Sequence, residues 1–257
     1  TEWLHRGLVG IIGILVLYSH YTTWALRDEI GERPYKIHFL VTALLVMQAM
    51  VGYVTVDLDN APWTVALHLF MALMFTASLM AVGLLWWQNQ TGLPDYLIAG
   101  NEKILNIIWY MMLFILIQLL IGAFLSSGYH RGACGVGMWN GWPLCHGKII
   151  PALTQFGTTI QFVHRISAIL VAGLLFWGRQ WIRDNDGKSM LTVLIDFCLG
   201  FYILNLGIGG LYIISAGDGE FPGWVSLLHL LIGTVTFFII AWAYLICNAS
   251  QKVVDNG

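Results

Sequence analysis

The sequence predicts an all-α integral membrane protein with seven transmembrane helices in two pseudo-symmetric bundles. Three observations carry this. Hydrophobic residues make up 58% of the 257 and charged residues only 10%, where a soluble domain carries about 25% charged. The apolar residues fall in runs long enough to cross a bilayer, about 20 residues at 1.5 Å rise each. The chain also contains itself twice, at a nearly constant offset. The composition excludes an intrinsically disordered chain, and a net charge of −2 excludes a polybasic nucleic-acid binder. Four cysteines are too few for a disulfide scaffold.

The spans are Trp3–Leu26, Tyr35–Val56, Trp63–Trp87, Ile104–Ser127, Gly157–Ile182, Met190–Ile214 and Trp224–Ile246. None resembles a cleavable signal peptide, and the chain opens on Thr1 and not Met, which leaves open that residues precede it. Charge gives the orientation. Arg27, Arg33, Lys36, Lys103, Arg179, Arg183, Lys188 and Lys252 share one side, eight of the 12 Lys and Arg. By the positive-inside rule that side is cytoplasmic, and it takes the C-terminus. The N-terminus, the acidic turn Asp57–Asn60, the turn Asp218–Pro222 and the long loop Gly128–Phe156 then lie outside.

The repeat is read from matched motifs. Glu2-Trp3-Leu4-His5-Arg6 opens the first span, and Gln161-Phe162-Val163-His164-Arg165 lies in the fifth. Trp63 precedes His68 as Trp224 precedes His229, and the step from His68 to His229 nearly equals that from His5 to His164. Gln48…Gly52-Tyr53 and Asn205…Gly209-Gly210-Leu211-Tyr212 end the intervening spans. Two like-oriented bundles related by an axis along the membrane normal are expected. Residues 1–103 form a three-helix half-bundle and residues 104–257 a four-helix bundle with the outer loop.

His5, His68, His164 and His229 lie in the four spans that run outside to inside, each one to two turns from the outer end. A polar group at membrane depth needs an interior position and a partner. Four at one depth in two matched pairs point to ligation of a planar metal cofactor, and bis-imidazole haem needs one His from each of two facing helices. No close Cys, His and carboxylate cluster suits zinc. Gly7, Gly10 and Gly13 beside the first pair, and Gly173, Gly207, Gly209, Gly210 and Gly233 around the second, are candidates to make room for the macrocycle. Arg6 and Arg165 either meet haem propionates or snorkel to headgroups. His20 and His38 are packing or interface residues without matched counterparts, and His130 and His146 belong to the outer loop.

Cys134 and Cys145 flank a Gly-rich stretch on the oxidising side. They are expected to form a disulfide that staples this loop over the second bundle, with a redox-active pair as the alternative. Cys198 and Cys247 are buried thiols, and Asp196 is a hydrogen-bonded residue near a cytoplasmic helix end. Glu2 lies three residues before His5, on nearly the same helix face, where the repeat has Gln161. It either handles a proton or caps the helix start.

The Glu-x-x-His-Arg start, its His-Arg repeat, the Trp-Pro-Leu-Cys-His-Gly loop (Trp142 to Gly147) and the later His68 and His229 resemble the heme A synthase family over the whole chain. The resemblance implies eight helices in two four-helix halves. It implies oxidation of the C8 methyl of heme O to the formyl group of heme A, for terminal oxidase biogenesis. It also implies a heme b on His164 and His229, and the substrate heme O on His5 and His68, with Glu2 as the catalytic carboxyl. Heme O synthase and a terminal oxidase are the implied partners, and an oligomer is compatible with it. The family's first helix and the Cys-containing loop after it have no counterpart here, either because a segment is missing or because the chain is a shortened homologue. The alternative function is a di-haem cytochrome b electron-transfer subunit; a third class is a haem carrier or assembly factor.

Overall fold

The computed structural model describes residues 2–128, 130–187, 189–217 and 220–255. The side chains of Glu2 and Lys252 lie outside the described residues, as do Lys188 and Asp218. The helices are α1 (Glu2–Ala25), the short α2 (Arg27–Ile30), α3 (Glu32–Asp57), α4 (Pro62–Thr91), α5 (Glu102–Ser127), α6 (Phe156–Asp186), α7 (Met190–Ile214) and α8 (Gly223–Asp255). Seven of them are long and apolar enough to cross a membrane, so the chain is a multi-pass membrane protein. All seven expected spans are present. Three run a full turn or more further than expected at the end opposite the long loop: α4 to Thr91, α6 to Asp186 and α8 to Asp255. Hydropathy locates the bilayer, whereas the backbone ladder continues until a residue stops it. Gly92 and Gly187 do so at φ +74° and +67°.

Local chemistry sets the other boundaries. Pro62 starts α4 at the position where a missing N–H costs nothing. The Asn101 side chain caps α5 by accepting from the amides of Lys103 and Ile104, and Ser189 caps α7 by accepting from that of Thr192. Gly100, at φ +86°, lets the approach to α5 pass under α8, where a Cβ would sit 2.6 Å from Cys247 Sγ. Ser250 then donates to the Leu97 carbonyl at 2.9 Å, and the Gly100 amide to Asp186 at 2.8 Å.

In the second half α5 packs on α6, α6 on α7, α7 on α8, and α8 returns to α5. This closes a four-helix bundle with α6 and α8 on one diagonal. In the first half α1 packs on α3 and α3 on α4, and α4 meets both α5 and α8. The main core fills the four-helix bundle away from the long loop, with Ile104, Ile108, Met111, Ile115, Leu175 and Phe237 at its centre. A smaller cluster, Ile208, Tyr212, Ile213 and Val225, closes the other end under Trp142 and Phe221. Along α8, His229 falls between Val225 of this cluster and Phe237 of the main core.

The long loop is pinned as expected. Cys134 and Cys145 form a disulfide and are 0% and 2% exposed, as befits a staple. The Gly137 amide donates to the Ile213 carbonyl at the end of α7, and Thr158 to the Ala133 carbonyl. Gly210 of α7 leaves space for the Trp142 indole, which a Cβ would meet at 2.7 Å. For a separation of 11 residues, the chain-entropy estimate of the cross-link is about 3 kcal/mol. Changing both cysteines to Ser is therefore expected to lower the thermal-unfolding midpoint of detergent-solubilised protein by several degrees. An unchanged midpoint would assign the loop's order to its hydrogen bonds alone.

Candidate functional site

His68 and His229 each stand six residues into their helices, α4 from Pro62 and α8 from Gly223, about 9 Å along the axis. His164 on α6 and His229 on α8 occupy the bundle diagonal and lie within electrostatic reach of one another. His5 on α1 likewise lies within electrostatic reach of His68 on α4.

Each ring of the second pair is fastened by its Nδ1. The Gln118 amide nitrogen on α5 is 3.0 Å from His164 Nδ1 and also donates to the His164 carbonyl at 2.9 Å. Ser167 donates to Gln118 Oε1 at 2.6 Å, which fixes the amide from its other side. His229 Nδ1 is 3.1 Å from the Asn205 backbone carbonyl on α7, the only role open to the ring nitrogen there being donor. Neither Nε2 has a hydrogen-bond partner among the described residues. At His229, whose Nδ1–H donates to a carbonyl, this is the arrangement that second-shell groups impose on metal-binding imidazoles. At His164 the Gln118 amide N–H donates to Nδ1, which fixes the ring's orientation but not that tautomer.

The first pair differs. Gln48 Nε2 on α3 lies 3.2 Å from His68 Nε2, while His68 Nδ1 and Gln48 Oε1 are buried without partners among the described residues. His5 is exposed on α1. The second ring is therefore engaged through the opposite nitrogen, and the first is not fastened by a described neighbour.

Arg165, one residue after His164, donates from Nη1 to the Leu144 carbonyl of the long loop at 2.9 Å. Its Nη2 is buried with no partner among the described residues. A buried guanidinium donor left open beside a histidine pair is the feature a haem carboxylate would satisfy. Other unpartnered buried atoms around the pairs are Gln161 Oε1 and Asn205 Oδ1. The residues therefore fit a haem group: two imidazoles with free Nε2 atoms, an unsatisfied guanidinium, and packed layers on either side. Arg6, the counterpart of Arg165, is exposed on α1.

Gln161, the counterpart of Glu2, donates from Nε2 to the Arg131 carbonyl at 2.5 Å and so ties α6 to the long loop. The Glu2 side chain lies outside the described residues.

The glycines divide differently from the expectation. Gly210 and Gly233, offered as room for a macrocycle, are filled by Trp142 and by Leu119 and Asn205. Gly7, Gly10, Gly13, Gly173 and Gly207 have open space beside them. Gly209 faces the His229 ring, and Gly52 and Gly122 face His68 and His164. Gln118, Gly122 and Ser167 escaped the sequence reading. The signal was there: Gln48…Gly52 and Asn205…Gly209 recur as Gln118…Gly122.

His20 and His38 pack together, with ring centroids 5.3 Å apart, and bond to Thr42 and Ser19. His20 does have a counterpart, because the step that carries His5 to His164 carries it to Arg179. Arg179 pairs with Asp196 at 2.5 Å and joins α6 to α7 as His20 and His38 join α1 to α3. Both are helix-to-helix ties. Among the described residues no group of three or more His, Cys, Asp or Glu is placed to hold a metal ion.

Nearly the whole chain has counterparts in known proteins. It is similar to the protein named Heme A synthase of Listeria welshimeri, 23% identical over 98% of this chain and 79% of that one. For Heme A synthase of Shewanella oneidensis the identity is 26%, over 93% of this chain and 76% of the relative. That of Shouchella clausii is 19% identical over 94% and 77%. The profile of the COX15-CtaA family, described as cytochrome oxidase assembly protein, matches residues 1–240. A match over nearly the full length, on a fold that carries its histidines in two matched pairs, assigns this chain to the COX15-CtaA family of cytochrome oxidase assembly proteins.

Proposed function

We propose that this protein is a heme A synthase, an oxidoreductase that converts the C8 methyl of heme O to the formyl group of heme A. The observation that carries this reading is the unlike treatment of two like histidine pairs. His164 and His229 have both Nδ1 atoms fastened and a guanidinium donor open beside them, which suits a resident heme b. His68 is engaged at Nε2 by an amide that an arriving iron must displace, which suits an occupant that enters and leaves. His5 and His68 are accordingly assigned to heme O as substrate. The division into a substrate half, residues 1–103, and a heme b half, residues 104–257, follows.

When bound, the heme b supplies one-electron redox chemistry near the substrate. The chain's own part is to hold both groups at one depth, to shield the resident one under the stapled loop, and to provide Glu2 as the carboxyl beside the substrate pair. Arg165, and Arg6 in the first half, would receive propionates. The reaction is two successive hydroxylations of the methyl, with loss of water from the geminal diol giving the aldehyde; it removes four electrons from the methyl carbon, which an external oxidant must take up. Charge distribution supports an outer location for the long loop and both sites, and a cytoplasmic C-terminus. Heme O synthase and a terminal oxidase are the natural supplier and recipient.

The test is to extract the haems from purified protein, determine their masses and record a pyridine hemochrome spectrum. Heme o, its alcohol or heme a alongside heme b is the expected result. Heme b alone at both sites would favour a di-haem electron-transfer subunit instead.

A further inference from the structure

Three of the four histidines meet the same two-part feature on the preceding long helix. The Cε1 edge of the imidazole points at a glycine, close enough that an ideal Cβ there would lie 3.0 Å from His68 Cε1 at Gly52, 3.1 Å from His164 Cε1 at Gly122 and 2.9 Å from His229 Cε1 at Gly209. An amide residue stands one turn earlier on the same helix in each case: Gln48, Gln118 and Asn205. Residues four apart share a helix face, so amide and glycine address one ring together. At Gln48 and Gln118 the side-chain amide reaches a ring nitrogen, and at Asn205 the backbone carbonyl does.

Other helical glycines divide between close packing, as Gly178, Gly210 and Gly233 against Met111, Trp142 and Leu119, and open space, as Gly83 and Gly200. What sets these three apart is the amide residue one turn earlier, whose side chain or backbone reaches the same ring. No glycine of the described residues is found against His5.

We infer that Gln48/Gly52, Gln118/Gly122 and the Asn205 carbonyl with Gly209 are positioning clips that fix the rotation of the histidine rings presented to the iron. The inference rests on the reading that these histidines are haem ligands. A ring held by a hydrogen bond at a nitrogen and by the backbone against the adjoining Cε1 cannot turn about its Cβ–Cγ bond without breaking the bond or striking the helix. Both rings of the second pair are held this way, so the angle between the two ligand planes there is set by α5 and α7. Only His68 is held in the first pair.

The test uses the haem-loaded protein carrying Gly209→Ala, Gln118→Leu or, as control, Gly200→Ala on α7, which has open space beside it. Haem content, the low-spin electron paramagnetic resonance signal and the rate of haem transfer to apomyoglobin are measured. Gly209→Ala and Gln118→Leu are expected to keep the b-type absorption but to shift the low-spin resonance, with haem lost about tenfold faster. Gly200→Ala is expected to match the parent. Parental resonance and transfer rates in both variants overturn the clips. If Gly209→Ala does not accumulate, Gln118→Leu decides alone, since a leucine fits the same volume. His164→Ala and His229→Ala run in parallel separate the two ideas: a normal b-type spectrum in those defeats the ligand assignment itself.

Discussion

His164→Ala and His229→Ala each remove the b-type spectrum of the purified protein, leaving less than about a tenth of the parental haem ratio. Loss of a group that merely orients a metal ligand already costs roughly 10- to 100-fold in affinity, so loss of the ligand costs at least that. The fold itself is expected to survive. The main core lies toward the end of the bundle away from the long loop and involves neither histidine, and the loop keeps its disulfide and its tie to α7. Circular dichroism should therefore report parental helix content while the absorption spectrum reports no heme b. The corresponding His68→Ala change should spare the heme b spectrum and stop product formation. A normal b-type spectrum in either second-half variant would overturn the assignment of the resident haem.

Glu2→Gln gives the second large effect: haem at both sites, but heme A formation lowered by about 10² to 10⁴ if the carboxyl transfers a proton. The repeat makes this substitution informative. Gln161 occupies the matching position in α6 and uses its amide N–H to hold the Arg131 carbonyl, a task that an ionised carboxylate cannot perform. Glu2 is therefore not a copy of that tie, and glutamine keeps its size while removing its charge and its proton chemistry. The readout is product analysis by mass, with accumulated heme O or its alcohol expected. Product at the parental rate would leave Glu2 as a helix-start residue and strengthen the electron-transfer alternative.

Much of the molecule is readable from residue types in order. A bilayer crossing needs about 20 apolar residues with internally satisfied backbone groups, so hydropathy suffices to place seven spans. The exact ends escape it, because α4, α6 and α8 continue as polar helix beyond the apolar run, and for α4 and α6 it is Gly92 and Gly187 that stop them. The histidine pairs were legible through repetition: nearly the same step along the chain brings His5 onto His164 and His68 onto His229.

The linear sequence carries the membrane class, the repeat, the identities of the four histidines and the cysteines available for a staple, because each of these is a local pattern or a spacing along one chain. Which nitrogen of each ring is engaged is not such a pattern. It depends on a neighbouring helix, and Gln118, Asn205 and Gln48 reach their rings only once α5, α7 and α3 have packed. The same holds for Gly210, which reads as free space and is filled by Trp142 from the loop that precedes α6. Packing decides whether a glycine is a gap, a seat for an indole or a stop for an imidazole, since the residue itself contributes only the absence of a side chain.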